Sequence, residues 1–415
     1  MCTSVRIQCT IVHMSSPTTT ELRRARIGVA LLFLTNGALF ANILPRYPEM
    51  KAALGLDAAT YGLAIAAFPA GAIVAGLAAA MFIRRFGSAN VAVAGTIITS
   101  LGILAAGFAP SVLFFALGLF LGGAADAITD VAQNAHALRV QRGFGRSIIN
   151  SFHAIWSIGA VVGGSMAAIA IAVALPIGIH LVISAVIFGA VSLVALRLCL
   201  PGRDDRIDED AIAGGEEIGG ALKRVTAKTV IIIAALVLIS IAGALVEDAG
   251  MSWATLYLAT SLEAPAALAA IGYIALVGAQ FIGRIVGDRL TDRFGQRAVA
   301  IAGGLVASVG MGLALAFPSI PGTILGFAAA GYGVATLIPA AMQVADDLPG
   351  LKHGAGLTIV SWLLRLGFLF SPPIVGLVAD NAGLRTGLLV VPIAGVVAVL
   401  CAWSLNGRPK RQSQA

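Results

Sequence analysis

Gly287-Asp288-Arg289-Leu290-Thr291-Asp292-Arg293-Phe294-Gly295-Gln296-Arg297 lies between two apolar runs, at about 267–290 and 298–317, each long enough to cross a bilayer. A shorter version, Ile83-Arg84-Arg85-Phe86-Gly87, separates the runs at about 59–81 and 89–108. Arginines keep such a connection in water at the membrane surface, and glycine permits the turn. The shared Arg-Phe-Gly falls after the second run and again after the eighth, as an internal repeat requires.

Outward from these hairpins the pattern extends over the whole chain. Further apolar runs lie at about 27–47, 111–137, 147–172, 176–199, 229–255, 321–344, 354–379 and 383–405, which makes roughly twelve spans. The composition agrees: of 415 residues, 59% are hydrophobic, only 11% are charged, and 49 are glycine. A water-soluble domain carries about 25% charged residues, so lipid must solvate most of this surface. Continuous apolar runs exclude a β-barrel, whose strands would be about ten residues long with alternating polarity. The expected fold is therefore an all-α membrane protein, with twelve transmembrane helices in two pseudo-symmetric six-helix bundles. Its parts are an N-terminal tail (1–26), a first half (27–200), a charged Gly-containing linker (201–228), a second half (229–405) and a C-terminal tail (406–415).

The net charge of +7 might suggest nucleic acid in a soluble protein. Here the basic residues sort by side. With the N-terminus cytoplasmic, the inner segments and the helix ends that border them hold Arg23, Arg24, Arg26, Arg84, Arg85, Arg139, Arg142, Arg197, Arg284, Arg289, Arg293, Arg297 and Lys352 among others, while only Arg46, Lys51 and Arg385 lie outside. This bias puts both termini in the cytoplasm. Met1 to Thr20 lack an apolar core followed by a small-residue cleavage site, so no signal peptide is expected, and Met14 is an alternative start.

Twelve spans in two halves, with Gly-x-x-Leu-x-Asp-Arg-x-Gly-x-Arg after the eighth, resemble the major facilitator superfamily, and the likeness covers about 27–405. The resemblance implies a cytoplasmic conformational latch formed by Gly287, Asp288, Arg289, Asp292, Arg293, Gly295 and Arg297. Asp292 would pair with a helix end or with Arg293 or Arg297 and hold the outward-facing state. In the first-half copy Arg84 stands where the acid should be, so that copy departs from the pattern. The stretch Asp130-Val131-Ala132-Gln133-Asn134, with Ser151-Phe152-His153-Ala154-Ile155-Trp156, resembles the bacterial YbjJ-type branch and, more distantly, fucose permease-like sugar–proton symporters.

An ionisable side chain at mid-bilayer costs about 2.5–3.5 kcal/mol on insertion scales, so each one needs a partner, a water-filled cavity or a task. Asp126, Asp130 and Asn134 recur at i, i+4 and i+8 on one helix face. Two poorly hydrated carboxylates one turn apart favour sharing a proton. The resemblance to fucose permease-like symporters, whose fourth span carries an acid four residues ahead of an Asn, implies Asp130 as the first proton-coupling residue, and Asp126 follows on depth alone. The competing reading is a fixed ion pair with Arg139, Arg142 or His153. Substrate-binding candidates are Asn36, Asn42, Asn134, His153, Trp156, Glu247, Trp253, Tyr332, Gln343 and Arg365. Arg365 cannot shed its charge, so it must face Asp126, Asp130, Glu247 or an anionic substrate. Gly250 beside Glu247 and Asp248 suggests a bent or broken seventh helix, with Glu247 as a binding or outer-gate residue and, as the alternative for Asp248, a simple helix end at the interface.

No Walker-type phosphate loop, metal-ligand spacing or nucleophile elbow occurs, so no cofactor and no metal are expected. A membrane-embedded enzyme would need larger outer loops, and a sensor would need an output domain. The expectation is a non-enzymatic secondary transporter in a bacterial inner membrane, working as a monomer on a small-molecule substrate and protons, with the lipid bilayer and not nucleic acid as its surroundings. Symport of a small polar compound such as a sugar leads; proton-driven export of an amphipathic drug or metabolite is the alternative.

Overall fold

The computed structural model describes residues 18–145, 148–202, 226–346, 348 and 355–405. Both tails, apart from residues 18–26 and their boundary helix turns, and most of the linker lie outside the described residues. Among the described residues twelve membrane-length helices are present: α1 (Thr19–Ala53), α2 (Ala58–Gly76), α3 (Ser88–Gly107), α4 (Val112–Phe144), α5 (Ser151–Ala172), α6 (Ile177–Leu198), α7 (Ala227–Ser261), α8 (Ala266–Phe294), α9 (Gln296–Ala316), α10 (Ile320–Asp346), α11 (Ala355–Ala382) and α12 (Leu384–Ser404). In lipid no water can satisfy a free amide or carbonyl, so such runs must close their hydrogen bonds within the helix.

The helix ends follow from local chemistry. Thr18 and Glu21 form a reciprocal capping box at the start of α1, Asp57 caps α2 through the Thr60 amide at 2.7 Å, and Thr226 caps α7. Gly87 and Gly295 take equivalent positive φ values, 82° and 85°, at the start of α3 and α9. Beside each, the preceding arginine lies over a phenylalanine ring, Arg85 over Phe86 at 5.3 Å and Arg293 over Phe294 at 5.2 Å. The repeat seen in the sequence is thus a repeat in three dimensions.

Packing repeats as well. In the first half α1 packs on α5 and α6, and α4 on α2 and α3; in the second, α7 packs on α11 and α12, and α10 on α8 and α9. Small residues allow these approaches. A Cβ on Gly37 would meet the Trp156 carbonyl, and one on Gly331 would meet that of Leu276.

The halves meet through α2 against α11 and α5 against α8. Those contacts gather at the end of the bundle away from the linker, here called the far end. There Gly62 abuts the Pro372 carbonyl, Gly376 abuts that of Ala58, and Gly164 abuts the Tyr273 ring. Both oxygens of Asp380 on α11 accept backbone N–H groups of α2, from Ala58 at 2.8 Å and Ala59 at 2.7 Å. At the linker end, α4 and α10 share no extensive contact among the described residues. Among the described residues, the contacts between the halves are concentrated at the far end.

Candidate functional site

Near the middle of the first half, α1 supplies an amide between a carboxyl and an indole. Asn36 Nδ2 donates to Asp126 Oδ1 at 2.6 Å, and Trp156 Nε1 donates to Asn36 Oδ1 at 2.8 Å. One side chain thereby links α1, α4 and α5, using the donor and acceptor faces of the amide together. Asp126 is part-buried, and no cation is bonded to it among the described residues.

The next residue after Trp156 carries the network across to the other half. Ser157 Oγ accepts from Arg284 Nη1 on α8 at 3.4 Å and donates to the His153 carbonyl at 3.2 Å. Arg284 Nη2 stands 3.9 Å from Glu247 Oε1 on α7, and Gln280 Nε2 donates to Glu247 Oε2 at 3.0 Å. The Arg284 side chain remains 35% exposed, so this pair leaves part of it uncovered. His153 is exposed, lies edge-on to Phe33 at 5.2 Å, and is within electrostatic reach of both Asp130 and Arg284. Asp130 is exposed, and among the described residues its carboxylate accepts only within its own helix, from Asn134 at 3.1 Å and Gln133 at 3.3 Å. A carboxylate without a fixed cation beside an exposed imidazole and guanidinium suits exchange of protons and polar ligands.

Of the residues singled out in the sequence, Asn36, Asp126, Trp156, His153, Asp130, Asn134 and Glu247 converge here. Tyr332 on α10 is 36% exposed, without a fixed polar partner among the described residues. Three others are drawn away. Asn42 is fully buried, bonded to the Ala38 carbonyl at 2.8 Å and to His180 at 2.8 Å, which fixes α1 to α6. Gln343 accepts from Gln296 at 2.7 Å, tying α10 to the start of α9. Trp253 is fully buried in the far-end contact, 5.0 Å edge-on from Tyr61. Arg365 pairs with none of Asp126, Asp130 or Glu247 among the described residues; its guanidinium lies beside Gly76, where a Cβ would sit 3.4 Å from Nη1.

Two expectations are corrected. Helix α7 is unbroken from Ala227 to Ser261, and Asp248 is buried within the bundle instead of standing at an interfacial end. Arg284 belongs to the mid-bundle network and not to the basic inner border. Its signal in the sequence was its distance from the helix end at Phe294, with Gln280 one turn earlier on the same face. The latch residues are intact in the sequence, but none of Asp288, Arg289, Asp292 or Arg293 bonds to the first half among the described residues. Arg297 instead donates to the Trp403 carbonyl at 2.5 Å, within the second half. Asp57, outside the spans, has its carboxyl held below the ordinary range by the Thr60 amide and hydroxyl.

The profile of the Major Facilitator Superfamily matches residues 29–290 and 248–415 of the sequence. The chain belongs to that family. This transporter is 30% identical over 378 residues to the uncharacterized transporter y4wD of Sinorhizobium fredii, covering 90% of this chain and 96% of y4wD. Among solved structures it superposes on a variant of the nucleoside transporter NupG with a TM-score of 0.74 at 13% identity, covering 92% of this chain and 98% of NupG. It superposes on a D-xylose–proton symporter with a TM-score of 0.69 at 18% identity, covering 94% and 98%. At those identities the two structures share its fold.

Proposed function

We propose that this transporter is a proton-coupled symporter of a small polar solute such as a sugar, working by alternating access in a bacterial inner membrane. The observation that carries this reading is the polar string Asp126–Asn36–Trp156 and Ser157–Arg284–Glu247–Gln280, which spans both halves. Hydroxyl-rich solutes are recognised by such alternating donors and acceptors flanked by an aromatic face. The xylose symporter and nucleoside transporter that share the fold carry solutes of this chemistry by their names.

In this reading the linker end is cytoplasmic, both termini lie inside, the protein works as a monomer, and the far end faces outward. Solute sits between Trp156 and Arg284, with His153 and Tyr332 on the cleft walls. Asp130 takes and releases the coupling proton, and Asp126 holds Asn36 in register. Arg365, beside α2, meets an anionic group of the solute or of the lining during the cycle. The latch at Asp292 engages when the linker end closes, which accords with its lack of inter-half bonds in the present state.

The test is uptake by purified protein in liposomes under an imposed pH gradient, against sugars, nucleosides, organic acids and amphipathic drugs. The expected result is proton-driven accumulation of a polar solute by wild type and its loss in Asp130→Asn, with solute exchange across the membrane retained. Accumulation by Asp130→Asn at the wild-type level overturns the coupling assignment. Gradient-driven extrusion of drugs without uptake of any polar solute overturns the direction and substrate class.

A further inference from the structure

The far-end closure contains a carboxyl that the transport site does not use. Asp248 on α7 is 8% exposed and lies in the contact between the halves. Its Oδ1 accepts from Ser252 Oγ at 3.1 Å, and the Ser371 hydroxyl on α11 acts on the carboxyl from the other side, although no well-formed hydrogen bond closes on the buried Oδ2. Tyr47 on α1 and Tyr61 on α2 act on it from the first half, Ser371 faces it from α11, and Glu247 precedes it on α7; no basic side chain acts on it among the described residues. Tyr61 also donates to the Ser252 carbonyl at 2.8 Å across the interface, and Ser371 Oγ and Trp253 Nε1 are likewise buried without partners.

A carboxylate enclosed in that way, with one oxygen unpaired and no cation to balance it, is among the least favourable groups a dry interior can hold. Protonation removes the charge and makes one oxygen a donor. A sodium ion would need a shell of oxygens, which transporters supply from unwound helices, and α7 runs without a break through this point. We propose that Asp248 is a second proton-binding site, which must be loaded for the far end to close and which releases its proton to the outer solution when the halves part. This rests on the symporter reading for its role in the cycle, and places a proton at the gate in addition to the one at Asp130.

The consequence is conformational. Separation of the halves at the far end takes Tyr47 and Tyr61 away from Asp248 and admits water, so the ionised form loses its desolvation penalty there. Low pH therefore favours closure and high pH favours opening. Substitution by asparagine, which is neutral at every pH, should hold the far end closed.

The experiment places spin labels on exposed far-end positions of the two halves, through Ala53→Cys and Ala382→Cys in a background without native cysteines, in full-length protein reconstituted in nanodiscs. Inter-label distances are recorded between pH 5 and 8. The open population of wild type should rise about tenfold or more across that range, and that of Asp248→Asn should stay within about twofold. An unchanged wild-type distribution overturns the proposal without any variant. So does an Asp248→Asn distribution that still follows pH, or a wild-type distribution that follows sodium at fixed pH. Measuring Asp130→Asn in the same assay separates the two readings. If its gate follows pH as wild type does while uptake by Asp130→Asn is undiminished, the assignment of Asp130 falls and that of Asp248 stands. If its gate alone has lost the pH response while Asp248→Asn retains it, the assignment of Asp248 falls.

Discussion

Asn36 does the most with the fewest atoms. Its amide is held at both ends, by Asp126 at 2.6 Å and by Trp156 at 2.8 Å, so it sets the positions of a carboxyl and an aromatic face together. Asn36→Ala leaves a part-buried carboxyl without its donor, a loss of about 1–3 kcal/mol, and should lower kcat/KM for uptake about tenfold or more with the fold intact. Uptake initial rates beside a thermal melt check this, because a merely structural role would move the melt and not the ratio. Asp57 gives a pH effect of defined sign. The Thr60 amide and hydroxyl hold its carboxyl below the ordinary value, so its capping contribution to α2 is present above the ordinary carboxylate range and is lost as pH falls through the lowered value. Asp57→Asn keeps a capping oxygen and should flatten the acid limb of far-end stability, read as protease resistance of the loop before α2 as pH is lowered below about 4.

At the scale of elements, glycine decides how closely helices approach. A Cβ on Gly37 would fall on the Trp156 carbonyl, at the α1–α5 contact that also positions Asn36, whereas one on Gly312 of α9 meets nothing within 4 Å. Gly37→Ala should therefore destabilise by about 1–3 kcal/mol through overpacking. Gly312→Ala should be neutral or stabilise by about 0.5–1 kcal/mol, since alanine loses less freedom in a helix. Unfolding midpoints in one detergent, measured side by side, separate the two. Gly295 is a different case: its φ of 85° serves the turn between α8 and α9. With ψ of 154° it lies in an extended region that is essentially glycine-only, where an L side chain costs about 1–3 kcal/mol, so Gly295→Ala should loosen the hairpin.

At the scale of the whole molecule, the alternating-access cycle proposed above needs two closures of similar free energy, each made by bonds that the other state lacks. In the present state the far end holds the larger share: Asp380 grips the start of α2 with both oxygens, and Asp248 is enclosed behind Tyr47 and Tyr61. Asp380→Ala removes two charge-assisted bonds and should raise the far-side-open population roughly tenfold, read from the same pair of labels. The twelve spans and their repeat were legible because lipid enforces them: length and apolarity leave a helix as the only way to satisfy the backbone, and Arg-Phe-Gly recurs where each half turns. Charges within spans were legible as exceptions, which is why Asp126, Asp130, His153 and Glu247 stood out. Their partners were not legible. Asn36 reaches Asp126 across 90 positions of chain, and Arg284 reaches Ser157 across 127, distances over which no local pattern carries information. Asn42 and Arg365 show the converse, since a polar residue in a span can be satisfied by a carbonyl or stand beside a glycine that only packing brings near. The sequence by itself thus determined the solvent, the helices and the two-fold repetition, because those follow from what each segment must do in lipid. Only packing settled where the halves touch, which carboxyl is enclosed between them and which stays exposed, because those depend on how the two halves lean against each other.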